Sequence, residues 1–400
     1  MAKNIRKDDI KFGERRNTVF NRKKFDAKKQ PIFLGQPVNI ARYDEQKYPF
    51  MEAMINKQLS FFWRPEEVPL DKDKVDYAKL TQAEKRVFTA NLKYQILLDS
   101  IQGRSPNLAF LPISSLPEWE TWIETWSFSE TIHSRSYTHI LRNIVADPSQ
   151  FFNNIIDEKE IADRANDLVK YYDALIEYVG YYNLFGWGKF KIKNESGEEI
   201  EIDINIEEMY KLIYLSLVGV YILETIRFYV SFACSFSFAE RKLMEGNAKI
   251  IKLISRDEAL HGSVIQSVVQ NIFGGLEGEL FKKIALQCEQ EVIQMFKDAA
   301  TQEKAWAKYL FLEGNLIGLN ERVLGNYIDF LANDRYYSLF GKNLFENPIK
   351  VDPLPWMEHW LDGSKVQVAN QEVESSNYVI GSVDTHITEE YEDKIKNIKL

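Results

Sequence analysis

FSETIHSRSYTHILRNI, residues Phe128 to Ile144, carries a carboxylate, an imidazole three residues later and a phenol four residues after that. No proline or glycine interrupts it, so it can be laid on a helical wheel at about 100° per residue. Glu130, His133 and Tyr137 then fall within roughly 60° of one another, while His139 points to the opposite side. The chain has only five histidines in 400 residues. A second Glu-x-x-His, Glu258 and His261, lies in ISRDEALHGSVIQ. About 0.4 accidental matches are expected in this composition for so short a motif. Two occur, both on helical patterns.

Working outward, TQAEKRVFTANLKYQILLDSIQG opens with a capping box, Thr81 and Glu84, and keeps helical spacing until Gly103. Ser115 is read as the cap of the helix that carries Glu130, with Pro117 close behind and Asp147-Pro148 closing it. Another helical pattern fills roughly residues 156–184. KFKIKNESGEEIEIDIN alternates apolar and polar residues on both sides of Ser196-Gly197, a hairpin signal. Helical periodicity resumes over most of 206–340. The expectation is one all-α domain with a small β-hairpin.

Residues Tyr210 to Ala239, YKLIYLSLVGVYILETIRFYVSFACSFSFA, are long and apolar enough to resemble a membrane span. Glu224 and Arg227 sit in the middle of the run, where charge is costly in lipid, and no second span shelters them. The run is therefore read as the central helix of a large core, with no membrane partner. That reading places Glu224 deep in apolar surroundings. A buried carboxylate costs several kcal/mol unless a cation meets it.

Composition narrows the classes further. With 45% hydrophobic and 13% aromatic residues, the chain is expected to fold around a dense core. A net charge of −9 argues against a dedicated nucleic-acid binder. Cys234 and Cys288 supply neither a disulfide framework nor a thiolate metal site, and read as reduced residues of an intracellular protein. Residues 1–30 hold eleven Lys or Arg against four acids and lack a compact apolar segment, so a solvated basic arm and a cytoplasmic location are expected.

Asp99 on the capped helix and the buried Glu224 complete an inventory of four carboxylates and two imidazoles on four helices. One carboxylate from each of two helices and Glu-x-x-His from each of two others is a known way to hold a pair of metal ions inside a bundle. The i, i+3 spacing turns both ligands to one side of their helix. Oxygen and nitrogen donors without thiolate suit iron or manganese. Four carboxylates also balance two divalent cations. Tyr137 lies about one turn beyond His133, close to the ions rather than ligating them. Phe228, Phe232 and Ile254 fall on or near the ligand faces and are expected to wall its pocket.

At this point the chain resembles a family: the small, radical-generating subunit of class I ribonucleotide reductase, of the di-iron tyrosyl-radical type. The likeness runs from about Gly35 to Asp384 and is dense in GQPVNIARYDEQKYPF, QLSFFWRPEEV, ETWSFSETIHSRSYTHI and QVANQEVESSNYVIG. It implies a ferritin-like helical bundle with extra helices. It also implies metal ligands Asp99, Glu130, His133, Glu224, Glu258 and His261, with Tyr137 as the radical site. Trp63 and Asp257 match an electron-transfer route, Asp257 bonding the far nitrogen of His133. Tyr378 matches a tail tyrosine that passes the radical on, Glu372 the acid before it, and Trp126 an aromatic beside the site.

The function so implied is that of the small subunit of ribonucleoside-diphosphate reductase. Its dimetal centre, two iron ions with manganese open, activates O2 and stores a radical on Tyr137. The radical then passes to a large catalytic subunit that reduces ribonucleotides. The resemblance further implies a homodimer and docking of the large subunit through the C-terminal tail. Residues 1–34 are read as the arm, 35–360 as the dimetal domain and 361–400 as the tail. The alternatives are a dimetal oxygenase or desaturase, and a ferritin-like iron store.

Overall fold

The computed structural model describes residues 18–193 and 196–362. In chain order the helices are α1 (Pro49–Ser60), α2 (Asp71–Lys79), α3 (Gln82–Gln102), α4 (Ser105–Ala109), α5 (Pro117–Ile144), α6 (Pro148–Asn153) and α7 (Lys159–Phe185). The hairpin β1 (Gly188–Lys193) and β2 (Glu199–Ile204) follows. Then come α8 (Ile206–Ile222), α9 (Tyr229–Glu240), α10 (Glu245–Gly274), α11 (Glu279–Gln287), α12 (Glu289–Leu310), α13 (Glu321–Phe340) and α14 (Glu358–Leu361). The all-α reading holds, with the hairpin as its β element.

Four rods close into a ring. α3 packs on α5 and α9, and both of these pack on α10. α7 lies against α8 and α3, α12 pairs with α13, and α1 lies along α5. Helix α3 begins where the capping box places it, Thr81 Oγ1 accepting from Glu84 N and Glu84 returning a bond to Thr81 N. Helix α5 does not begin on a Ser115 cap. Its N-cap is Leu116 with Pro117 at the first helical position, and the Ser115 hydroxyl accepts from Gly35 N at 2.6 Å instead. A neighbouring strap of chain competes for that hydroxyl, which the local sequence does not reveal.

On α5, Trp119, Trp122, Trp126, Glu130, His133 and Tyr137 form one stripe at helical spacing, and all six are fully buried. The hairpin pairs in the register Lys189↔Asp203, Lys191↔Glu201 and Lys193↔Glu199 on its exposed face, with Phe190 opposite Ile202 on the other. Opposite charges across an exposed face fix the register, because a one-residue slip would turn every side chain over.

The N-terminal segment is tied down from far along the chain. Glu277, between α10 and α11, accepts from Ile32 N at 2.7 Å and Lys47 Nζ at 2.8 Å, and from the Tyr48 hydroxyl. Glu118 Oε1 of α5 accepts from Lys47 N and Tyr48 N at the head of α1. Asp73 of α2 caps α10 from outside, accepting from Gly246 N and Asn247 N.

The long apolar run is buried in the core from Ile213 to Ala239, as its composition suggested, but it is not one regular helix. Between α8 and α9 the backbone widens into a π turn at Leu223–Arg227. Such turns recur at functional positions, and this one carries Glu224. Thr225 Oγ1 donates to Tyr221 O at 2.6 Å, bonding back along the widened segment. Gly262, the residue after His261, lets α10 come close to this turn. A Cβ there would lie 2.6 Å from Thr225 Cγ2 and 3.8 Å from Glu224 Cβ.

Gly262→Ala should therefore lower stability in denaturant titrations by about 1–3 kcal/mol through overpacking. Thr225→Ala alone should cost about 1 kcal/mol for its lost hydrogen bond. The double variant should recover most of the Gly262→Ala loss, leaving a coupling of about 0.5–3 kcal/mol. Strict additivity would show that the contact is not the cause.

Candidate metal centre

The ring of helices brings Asp99 from α3, Glu130 and His133 from α5, Glu224 from the π turn, and Glu258 and His261 from α10 into one place. All six are fully buried. One donor atom from each of Asp99, Glu130, His133 and Glu258 lies within 4.8 Å of the others, and the same holds for Glu130, Glu224, Glu258 and His261. Glu130 and Glu258 belong to both groups. The arrangement is thus two adjacent positions sharing two carboxylates, each completed by one further carboxylate and one imidazole.

Both rings turn Nδ1 inward. His133 Nδ1 is 3.2 Å from Glu130 Oε2 and from Glu258 Oε1. His261 Nδ1 is 3.0 Å from Glu130 Oε1 and Glu258 Oε2, and 3.6 Å from Glu224 Oε2. Asp99 Oδ1 meets no donor among the described residues.

Electrostatics tell the same story. Burial, then the charges of Glu130 and Glu258, push Asp99 well above the carboxylate range. Burial, then Glu258 and Glu130, do the same to Glu224. Against burial, which favours its neutral form, Glu258 is held low, with His133 the main cause. Burial also opposes charge on the rings, yet Glu258, Asp257 and Glu130 raise His133, and Glu130, Glu224 and Glu258 raise His261. Protons thus compensate the excess negative charge here, and cations binding at these atoms would displace them. The donor set fits two divalent cations in charge, in atom type and in its division into two overlapping groups.

Tyr137 lies against this cluster, its hydroxyl donating to Asp99 Oδ2 at 2.6 Å. Burial and Asp99 push the phenol well above its usual range. On the other side, Asp257 Oδ2 is 3.1 Å from His133 Nε2 and accepts from Trp63 Nε1 at 3.0 Å. That contact keeps a proton on the outer nitrogen, so a cation that displaces the Nδ1 proton would meet a lone pair facing inward. The Trp63 and His133 rings stack at 6.4 Å. Trp126 Nε1 donates to Glu130 Oε1 at 2.9 Å. Phe228, Phe232 and Ile254 are all fully buried, the two Phe rings stacked 5.8 Å apart. His139 is apart from the cluster, 3.4 Å from Val68 O. Tyr378 and Glu372 lie outside the described residues.

Several contacts were not anticipated. Gln102 Nε2 donates to Glu224 Oε1 at 2.7 Å, and Tyr172 of α7 donates to Gln102 Oε1 at 3.1 Å. Ser129 Oγ is 3.4 Å from Asp257 Oδ2 and accepts from Gln58 Nε2 at 3.1 Å. Gln102 follows Asp99 by three residues on the same face, a signal available in the sequence. Tyr172 and Gln58 had none.

A family model described as ribonucleotide reductase, small chain, matches residues 41–353. The ribonucleoside-diphosphate reductase subunit beta of Buchnera aphidicola subsp. Schizaphis graminum is 52% identical over 383 residues, covering 96% of this chain and 99% of its own. A ribonucleotide reductase R2 subunit from Clostridium botulinum superposes with a TM-score of 0.70 at 22% identity, over 86% of this chain and 98% of its own. A dimanganese(II) protein from Streptococcus sanguinis superposes with a TM-score of 0.59 at 17% identity, over 82% and 99%. At those identities the two structures bear on fold alone.

The sharing of Glu130 and Glu258 has a measurable consequence. In anaerobic titrations with Mn(II), Asp99→Ala should lower the count from two bound ions per chain to about one, whereas Glu258→Ala should abolish tight binding of both. Equal losses from the two variants would contradict the shared arrangement.

Proposed function

The chain belongs to the family of ribonucleotide reductase small chains, and from that premise we propose that Tyr137 is the residue on which it generates and stores a radical. As a small subunit of ribonucleoside-diphosphate reductase it works with a large subunit. The oxygenase and iron-storage alternatives give way to this assignment. The observation that carries the radical reading is the Tyr137 hydroxyl, buried and donating to Asp99 at 2.6 Å.

Asp99, Glu130 and His133 would hold one cation and Glu224 and His261 the other, with Glu258 and Glu130 common to both. When bound, the cation pair supplies the oxidising power, drawn from O2. The chain's own residues do the rest. Asp99 takes the hydrogen bond of Tyr137 and so offers its proton a path as the phenol is oxidised. The apolar surroundings, including Phe228, Phe232 and Ile254, keep solvent from the ring. Asp257 holds His133 in one tautomer and ties it to the Trp63 indole, forming a continuous hydrogen-bonded route, Trp63–Asp257–His133, from the cluster toward α1.

Iron is the proposed metal, on the sequence likeness to the di-iron type, while the donor atoms also accommodate manganese. Also proposed are a homodimer, a cytoplasmic location, the arm, domain and tail at 1–34, 35–360 and 361–400, and docking of the large subunit by the tail, with Tyr378 continuing the route.

After iron loading and air exposure, Tyr137→Phe should lose the tyrosyl doublet in low-temperature EPR and lose turnover, with iron content unchanged. Trp63→Phe should keep the doublet while turnover with the large subunit falls by more than about a hundredfold. A doublet that persists in Tyr137→Phe would place the radical elsewhere.

A further inference from the structure

Two buried phenols flank the cluster, and they differ in what receives their hydrogen bond. Tyr137 donates to a carboxylate, Asp99. Tyr172 donates to the carboxamide oxygen of Gln102. The orientation of that amide is fixed by its other contact. Once a bound cation has displaced its proton, Glu224 can only accept, so the Gln102 NH2 faces Glu224 and the oxygen faces Tyr172. Both phenols are buried, Tyr137 at 0% and Tyr172 at 2% exposure. Desolvation therefore does not separate the two. Their acceptors do.

Removing an electron from a phenol makes its hydroxyl strongly acidic, and at a site buried from bulk solvent the proton needs an acceptor in the same step. A carboxylate whose proton a bound cation has displaced is a competent base. A carboxamide oxygen is not, and protonating it would leave a cation among apolar side chains. We propose that Gln102 selects the radical site: by giving Tyr172 an amide in place of a base, it leaves Tyr137 as the phenol that is oxidised. The inference deepens the reading of the site given above and rests on it for the oxidant, the O2-oxidised cation pair. At Tyr137 the O–H bond breaks, one electron goes to that pair and the proton moves along the hydrogen bond toward Asp99. At Tyr172 the electron has the same destination, but the proton has none. Gln102 thus acts as a positioning residue, holding Glu224 with one end and denying Tyr172 a base with the other.

The test uses the full chain, loaded with Fe(II), exposed to air and frozen for EPR, with β-deuterated tyrosine separating tyrosyl from tryptophanyl signals. Tyr137→Phe alone should show no tyrosyl signal. Adding Gln102→Glu supplies a base, worth about 10²–10⁴ in the rate of a proton-coupled step, and a tyrosyl signal should appear. It should vanish again when Tyr172→Phe is added. Mn(II) titration without O2 should count two ions per chain in each variant. Where Gln102→Glu fails to fold or to bind two ions, Gln102→His supplies a neutral base and takes its place. A Tyr172 signal in Tyr137→Phe with Gln102 intact overturns the proposal. So does the absence of a Tyr172 signal in a base-bearing variant that holds two ions. A wild-type chain without a Tyr137 signal, beside variants that do oxidise Tyr172, would instead count against the reading of Tyr137 while leaving the role of Gln102 standing.

Discussion

Asp99, Glu130, Glu224 and Glu258 share an interior that shields them fully from bulk solvent. Four ionised carboxylates in such a place would cost several kcal/mol each, comparable in sum to the net stability of a whole domain. Two imidazoles and a set of retained protons compensate part of that charge. The rest of the fold is arranged around the same demand. Helices α3, α5, α9 and α10 close a ring so that the four carboxylates arrive from four sides, the imidazoles sharing α5 and α10 with two of them, and a π turn rather than a regular helix delivers Glu224.

The surroundings of the cluster do two things with the same side chains. Trp119, Trp122 and Trp126 fill the first half of the α5 stripe, so the stripe that brings Glu130, His133 and Tyr137 inward is also a packing ridge. Apolar bulk keeps solvent out, and a small number of placed polar groups decide where protons sit. Asp257 illustrates the second role: a single oxygen lies within hydrogen-bonding reach of both the His133 ring and the Trp63 indole.

Much of this was legible in the amino-acid order because helical spacing is a strong local code. The capping box at Thr81, the paired Glu-x-x-His motifs and the misfit of Glu224 in an apolar run each follow from residues within a few positions of one another. What was not legible depends on neighbours far apart in the chain. Ser115 looked like a helix cap because nothing nearby shows that Gly35 takes its hydroxyl. The π turn escaped because Leu223–Arg227 has ordinary helix-compatible composition, and Gly262, which packs against it, comes some forty residues later. Tyr172 escaped because a tyrosine on an amphipathic helix is unremarkable until Gln102 is seen beside it.

The bond between Ile32 and Glu277 spans 245 residues. A ribosome adding about 5–20 residues per second needs on the order of 12–50 s to bring the second partner out after the first. Until then the strap from Ile32 to Tyr48 lacks this carboxylate anchor, although most of the ring of helices has already emerged. Completion of the fold at its leading end therefore waits on a carboxylate made late in synthesis, and a chain truncated before Glu277 would leave that end without its clasp.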